Sequence, residues 1–141
     1  MSLGLLVNID VDDLDRAVGF YTGAFDLKVS RRFGADGVEL LGAAAPIYLL
    51  VKAPGSAAFS VSPGSAQVRD YGRHWTPVHL DIVVADIEPA VERALAAGAK
   101  LEKPVQSNNW GRLALMADPF GNGFCLVQFV GQGYDEIATP A

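Results

Sequence analysis

The sequence has one cysteine and no long apolar segment, and each shortage excludes a class of protein. Cys125 has no second cysteine with which to form an intrachain disulfide, which favours a cytoplasmic location. The longest apolar stretch, residues 40–51, contains Gly42 and Pro46 and is shorter than the ~20 residues of a membrane-spanning helix. The first residues lack a basic segment followed by an apolar run and a cleavage site. We therefore expect no signal peptide and no membrane partner.

Basic residues are also few. Eleven Lys and Arg stand against sixteen Asp and Glu, giving a net charge of -5 and a sequence pI near 4.8. No cluster of basic side chains is present that would neutralise phosphates, so we expect no nucleic-acid partner. What is present is a chain of 141 residues, half of them hydrophobic and 19% charged. This composition predicts one domain over residues 1–141 with a substantial core.

An internal repeat is the most informative pattern. Residues 6–18, LVNIDVDDLDRAV, align with residues 79–91, HLDIVVADIEPAV, at an offset of 73 residues (79 against 6). Each copy begins with alternation that predicts a strand with one packing face and one mixed face. The packing faces carry Val7, Ile9 and Val11 in the first copy and Leu80, Ile82 and Val84 in the second. The mixed faces carry Leu6, Asn8 and Asp10 in the first copy and His79, Asp81 and Val83 in the second.

A helix follows the strand in each copy. We expect it to be capped by Asp12 or Asp13 in the first copy and by Asp86 in the second, where Gly98 marks its end. The buried stripes predicted from helical spacing are Leu14, Ala17, Val18, Tyr21 and Phe25, and Ile87, Ala90, Val91, Ala94 and Leu95. Shorter strands are then expected at 27–33, 37–41 and 47–51, and at 100–105, 112–117 and 124–130.

These elements predict a first module at 5–52 and a second at 78–131, joined by a linker at 53–77 and followed by a tail at 132–141. The linker begins rich in Gly, Pro, Ser and Ala, but it ends with large side chains, namely Tyr71, Arg73, His74 and Trp75. We expect these residues to line a cavity mouth or to pack at an interface.

Two segments resemble the vicinal oxygen chelate superfamily, which includes glyoxalase I, bleomycin resistance proteins and extradiol dioxygenases. They are VNIDVDDLDRAVGFYTGAFDL at 7–27 and DPFGNGFCLVQF at 118–129. The resemblance implies an α+β fold in which two βαβββ modules form a curved eight-stranded mixed sheet around a small-molecule cavity, usually in a homodimer. It leaves open whether the modules pair within one chain or swap between chains.

Enzymes of the superfamily commonly hold one divalent metal with four side chains. The resemblance places those ligands at Leu6, near Tyr48, at His79 and at Cys125. Only His79 is of the expected type, so we predict that the usual metal site is incomplete and that no cofactor is bound. An unconventional site would need other donors on these strands, from among Asn8, Asp10, Glu39 and Asp81.

We predict a ligand-binding cavity lined by Leu6, Tyr48, His79, Trp110, Arg112 and Cys125. His79 is the candidate catalytic residue, as a metal ligand or general base, or it is a core histidine satisfied by Asp81. Cys125 is a small buried hydrophobe or a nucleophile.

The remaining candidates also have two interpretations each. In the first interpretation, Trp110 and Arg112 hold a planar or anionic ligand. In the second, Trp110 covers the cavity rim and Arg112 pairs with Glu39. Tyr48 places its hydroxyl in the cavity or is a strand aromatic.

The favoured function is binding of a small, partly apolar organic molecule without the usual metal, for sequestration or resistance. The alternative is a metal-dependent lyase, isomerase or dioxygenase that uses His79 with non-standard ligands. A third hypothesis is an interaction or regulatory domain with an occluded cavity.

Overall fold

The computed structural model describes residues 2–59 and 67–140. The chain divides into two compact units, Met1–Gly72 and Arg73–Ala141. Residues 60–66 of the predicted linker lie outside the described residues. Within the described ranges, neither helix is long and apolar enough to span a membrane.

The first unit has the element order strand, helix, strand, strand, strand. Its elements are β1 (Val7–Val11), α1 (Leu14–Phe25), β2 (Lys28–Phe33), β3 (Gly37–Leu41) and β4 (Ile47–Val51). The sheet order is β1-β4-β3-β2, with β1 parallel to β4 and the other two pairs antiparallel. The predicted strands 37–41 and 47–51 coincide with β3 and β4, and 27–33 matches β2 within one residue.

α1 begins where the sequence predicts it. Asp13 is the N-cap residue, and its side chain accepts a hydrogen bond from the Arg16 amide at 3.0 Å. The buried face is rotated from the predicted stripe: Phe20 and Ala24, outside that stripe, are buried, whereas Leu14, Val18 and Phe25 are only partly buried. Phe20 packs edge-to-face against Tyr21 and Phe25, at ring-centroid distances of 4.9 and 5.8 Å.

The two faces of the first sheet differ in chemistry. α1 packs on β3 and β4, whose buried apolar side chains are Val38, Leu40, Ile47 and Leu49. Since side chains alternate along a strand, Glu39 and Tyr48 lie on the opposite face. That opposite face is where polar residues of this unit can meet a ligand or each other.

The second unit repeats the order with one extra short strand. Its elements are β5 (Leu80–Val83), α2 (Ile87–Ala97), β6 (Lys100–Leu101), β7 (Gln106–Ser107), β8 (Gly111–Ala117), β9 (Gly123–Phe129) and a 3-10 helix (Gly133–Glu136). The sheet order is β5-β9-β8-β6, and β7 also pairs with β8. β5 is parallel to β9, and the other pairs are antiparallel.

The predicted strand 100–105 is wrong in extent. Leu101 pairs with Met116 and Gln106 with Leu113, so residues 102–105 stand opposite only two residues of β8. The chain therefore bulges between β6 and β7, at a segment that contains Pro104, which has no amide hydrogen to donate. Two short strands replace the single strand that the sequence predicts.

α2 starts at the predicted position but is capped differently. The Asp86 side chain makes no capping hydrogen bond, and the amide of Ile87 donates instead to Oε1 of Gln128 at 2.8 Å. Gly98 ends the helix with φ 121°, a conformation that favours glycine. Leu95, placed on the buried stripe from the sequence, is 43% exposed.

The strand registers show which residues of the two units are equivalent. In the first unit the residues in register across β1, β4 and β3 are Asn8, Tyr48 and Glu39. In the second unit the residues in register across β5, β9 and β8 are Asp81, Cys125 and Leu115. Leu115, not Arg112, is therefore the counterpart of Glu39, because the offset changes along the repeat. The two βαβββ modules are confirmed, whereas one curved eight-stranded sheet stays a prediction.

Candidate functional site

The second unit contains a cavity of about 190 Å³. It is lined by Arg73, Trp75, Thr76, His79, Glu102, Leu115, Met116, Gly123, Phe124 and Cys125. Of the predicted site residues in this unit, His79 and Cys125 are among the lining, and Trp110 and Arg112 are not.

His79, Asp81 and Cys125 come together beside this cavity. His79 and Asp81 are two positions apart on extended chain, so their side chains project the same way, and Cys125 is the register partner of Asp81. Nε2 of His79 lies 3.2 Å from Oδ1 of Asp81. The His79 side chain is 55% exposed, so it is not a core residue, although Asp81 is the partner that the sequence suggested.

The Cys125 thiol is held in its protonated form. Burial raises its pKa to about 11, and the charge of Asp81 and a hydrogen bond to that carboxylate act in the same direction. A thiol with this pKa is a poor nucleophile at neutral pH. The surroundings thus favour the interpretation of Cys125 as a half-buried packing residue over that of an activated nucleophile.

An arginine and a glutamate form one wall of the cavity. Nε and Nη2 of Arg73 lie 2.7 and 2.9 Å from the two carboxylate oxygens of Glu102, a bidentate pair. The pair lowers the pKa of Glu102 and raises that of Arg73. A Cβ atom on Gly123 would lie 2.5 Å from Nη2 of Arg73, so the missing side chain is what gives the guanidinium its room. Glu102 was not predicted as a cavity residue because it lies in no recognisable motif. Gly123 belongs to the 118–129 segment, but nothing in that segment marks it as a contact of Arg73.

The segment after Arg73 is fixed to a turn of the same unit. The backbone amide of His74 donates a hydrogen bond to the Gly121 carbonyl at 3.0 Å. The ring nitrogen Nε2 of His74 lies 2.8 Å from Oδ1 of Asn122. Asn122 belongs to the DPFGN turn, in which the buried Asp118 carboxylate accepts hydrogen bonds from the Phe120 and Asn122 amides. Trp75 follows and is 81% exposed at the cavity.

Trp110 and Arg112 have other partners. Trp110 lies 5.1 Å from Tyr134 and 6.4 Å from Phe129 between ring centroids, forming an aromatic cluster. Nη2 of Arg112 lies 2.5 Å from Oε1 of Glu88. The predicted pairing of Arg112 with Glu39 is therefore wrong.

Glu39 is paired within the first unit. Arg31 donates to its two carboxylate oxygens at 2.9 and 2.7 Å, and the Tyr48 hydroxyl donates to Oε2 at 2.6 Å. Arg31 and Tyr48 together lower the pKa of Glu39 to about 2. The bonded hydroxyl of Tyr48 has a raised pKa. Leu6 in the same unit is 58% exposed.

A family model described as a glyoxalase-like domain matches residues 6–127. The chain belongs to the glyoxalase-like domain family. The superfamily resemblance seen in its sequence is thereby confirmed. Among curated relatives of this glyoxalase-like protein, an uncharacterized protein of Mycobacterium bovis is 33% identical over 130 residues, which cover 90% of this chain and 84% of the relative.

Solved structures of the superfamily share the fold. A variant of the fosfomycin resistance protein FosX from Listeria monocytogenes, complexed with Mn(II) and 1S,2S-dihydroxypropylphosphonic acid, matches with a TM-score of 0.67 at 19% identity, covering 98% of this chain and 100% of that chain. Lactoylglutathione lyase from Agrobacterium tumefaciens matches with a TM-score of 0.62 at 18% identity, covering 91% and 94% of the two chains.

The four-ligand metal set implied for this glyoxalase-like chain does not fit its residues. Leu6 has no donor atom, and the Tyr48 hydroxyl is bonded to Glu39 and Arg31. Asp10 is paired with Arg69, with 2.7 Å between Oδ2 and Nε. Among the residues that the structure describes, one group of three metal-binding side chains has donor atoms all within 4.8 Å of one another: His79, Asp81 and Cys125.

Proposed function

We propose that the protein binds a small, partly apolar organic molecule in the cavity of its second unit. The observation that carries this proposal is the composition of the cavity wall. Apolar surface from Leu115, Met116 and Phe124 meets polar groups of His79 and Thr76. Pockets that bind organic ligands combine apolar walls with a few polar groups that fix orientation.

The size of the cavity limits the ligand. About 190 Å³ is less than the ~300–1,000 Å³ that encloses a drug-sized molecule. We therefore propose a ligand of fragment size, or one part of a larger molecule. Trp75, exposed at the cavity, provides a ring on which a flat or cationic group can stack. The net charge of -5 favours the approach of a cation over that of an anion.

The structural neighbours are consistent with such a role. Their names include a fosfomycin resistance protein and a lyase acting on a glutathione conjugate, so the fold accommodates both resistance functions and catalysis. Because the identities are under 20%, these activities do not transfer to this chain. Sequestration or resistance is our proposal for the biological role.

A metal-dependent lyase, isomerase or dioxygenase is the second candidate. One observation favours it: His79, Asp81 and Cys125 come together, and two of them, His79 and Cys125, line the cavity. His79 is half exposed and would act there as a ligand or a general base.

We also propose that the protein is a homodimer, as the superfamily resemblance suggests, and that it is cytoplasmic, as its single cysteine suggests. Sedimentation equilibrium over a range of concentrations tests the dimer. A mass near 14.9 kDa at all concentrations would contradict it.

A fragment screen followed by thermal unfolding tests the binding function. We expect aromatic or cationic fragments to raise the Tm of the wild type, and Leu115→Phe, which fills the cavity, to abolish the shift. Leu101→Phe is the matched control, since Leu101 is 38% exposed and is not a lining residue. Equal shifts in both variants, or no shift with any fragment, would overturn the proposal.

A further inference from the structure

We propose that His79, Asp81 and Cys125 form a metal site confined to the second unit, with three protein ligands and one open position, suited to Zn²⁺ or another thiophilic divalent ion. The proposal differs from the four-ligand set of the superfamily. It uses no residue of the first unit, and it recruits Asp81, at which the superfamily resemblance places no ligand.

The geometry of the three side chains supports this site. Nε2 of His79 and Oδ1 of Asp81 are 3.2 Å apart, and all three donor atoms lie within 4.8 Å of one another. With bonds of ~2.0–2.3 Å, a tetrahedral ion needs its donors roughly 3.3–3.7 Å apart. Closing on an ion therefore requires the donor separations to shorten by no more than about 1 Å.

The backbone holds these donors in place. Asp81 and Cys125 are register partners on the adjacent parallel strands β5 and β9, so their separation is set by the sheet. His79 stands just before β5 and is half exposed, so its ring can rotate toward an ion without leaving a buried site. Two fixed donors and one adjustable donor make a site that an ion can enter from solvent.

The donor chemistry selects the ion. One imidazole, one carboxylate and one thiolate suit Zn²⁺ and disfavour Mg²⁺ and Ca²⁺, which prefer oxygen ligands. A divalent ion bound by one carboxylate, one thiolate and a neutral imidazole forms a complex with no net charge. Apart from His79, the charged residues that line the cavity are Arg73 and Glu102, and these two form an ion pair with each other.

The inference deepens the proposed binding function, because the open position would face the cavity in which the small molecule is proposed to bind. A ligand with a nitrogen, oxygen or sulfur donor would then bind more tightly to the metal-loaded protein than to the metal-free protein. Metal binding is nevertheless measured without any organic ligand, so that the two proposals fail separately.

Titration of the untagged, metal-free protein with Co²⁺ tests the site. We expect one equivalent to produce a near-ultraviolet thiolate-to-cobalt charge-transfer band, and Zn²⁺ to displace the cobalt. Cys125→Ser should remove the band, and Asp81→Asn or His79→Gln should weaken Co²⁺ binding by about tenfold or more. Asp86→Asn, which removes an exposed acid of the same unit, is the control and should leave the titration unchanged.

A measurement on the wild type guards against a variant that fails to fold. Zn²⁺ should slow alkylation of Cys125 at least tenfold, and a chelator should restore the rate. The absence of a charge-transfer band together with unchanged alkylation would overturn the site. So would a band that persists in Cys125→Ser.

Discussion

The carboxylate of Asp81 lies 3.2 Å from Nε2 of His79, two positions earlier on the chain. This proximity follows from extended backbone, in which residues i and i+2 share a face. Cys125 lies across from Asp81 on β9, so one carboxylate orients a histidine and contacts a thiol at the same time. The polar chemistry of the second unit is thus organised around Asp81, with the cavity at its side.

Cys125 should react slowly with thiol reagents in chelator-treated protein. A pKa of about 11 in place of about 9 lowers the thiolate fraction at neutral pH by about a hundredfold. Asp81→Asn should lower the pKa and accelerate alkylation, since it removes a nearby negative charge. The pH dependence of the alkylation rate measures both effects, and a rate that levels off near pH 8 would contradict them.

Acid should weaken the contribution of Glu39 to stability. Its pKa is lowered from 4.5 to about 2, so the ionised form stabilises the fold above about pH 4.5 and this stabilisation is lost as the pH falls toward 2. We expect Glu39→Gln to have a lower Tm than the wild type at pH 7, and the difference to shrink between pH 4.5 and 2. Glu92→Gln, an exposed acid on α2, serves as the control.

Gly123→Ala should disrupt the cavity wall. Its Cβ would lie 2.5 Å from Nη2 of Arg73 and force the guanidinium away from Glu102. We expect only a small fall in Tm, because the exposed end of the Arg73 side chain can move aside, together with weaker fragment binding. Adding Arg73→Ala removes the clash, so the double variant should show a coupling energy of about 0.5–3 kcal/mol. Strictly additive effects in a double-mutant cycle would show that the two residues do not meet.

Phe20→Ala should be among the most destabilising single changes in the first unit. Phe20 is 1% exposed and packs against two aromatic rings, so we expect a loss of about 3–5 kcal/mol in the free energy of unfolding. Leu5→Ala, at a side chain 70% exposed, should cost less than about 0.5 kcal/mol. Chemical denaturation of both variants gives the comparison.

Much of the fold was predictable, because local patterns specify it. The alternation of apolar residues predicted β1 and β5, and helical spacing with a cap at Asp12 or Asp13 predicted α1. Phe20 was missed because packing on the sheet buries a face of α1 that is rotated from the predicted stripe, and the spacing of apolar residues alone does not fix that rotation. The bulge between β6 and β7 was missed because it depends on register with β8, which no local pattern reports.

The site was less predictable, for a similar reason. His79 and Asp81 belong to one alternating segment, so their shared face was evident from the sequence. The pairing of Arg112 with Glu39 was predicted from a constant offset between the two copies. The strand registers show instead that Leu115 occupies the position in the second copy that is equivalent to Glu39 in the first. Arg73 and Glu102 form an ion pair although they are 29 positions apart in the chain, and such pairs leave no periodic signal in the sequence.

Amide chemical shifts recorded during titration with a fragment that raises the Tm test the central claim most directly. If the cavity of the second unit is the binding site, the largest changes will fall on residues that line it, such as Thr76, Leu115 and Phe124. Changes centred instead on the aromatic cluster of Trp110, Phe129 and Tyr134, or on the Glu39 network of the first unit, would contradict the account.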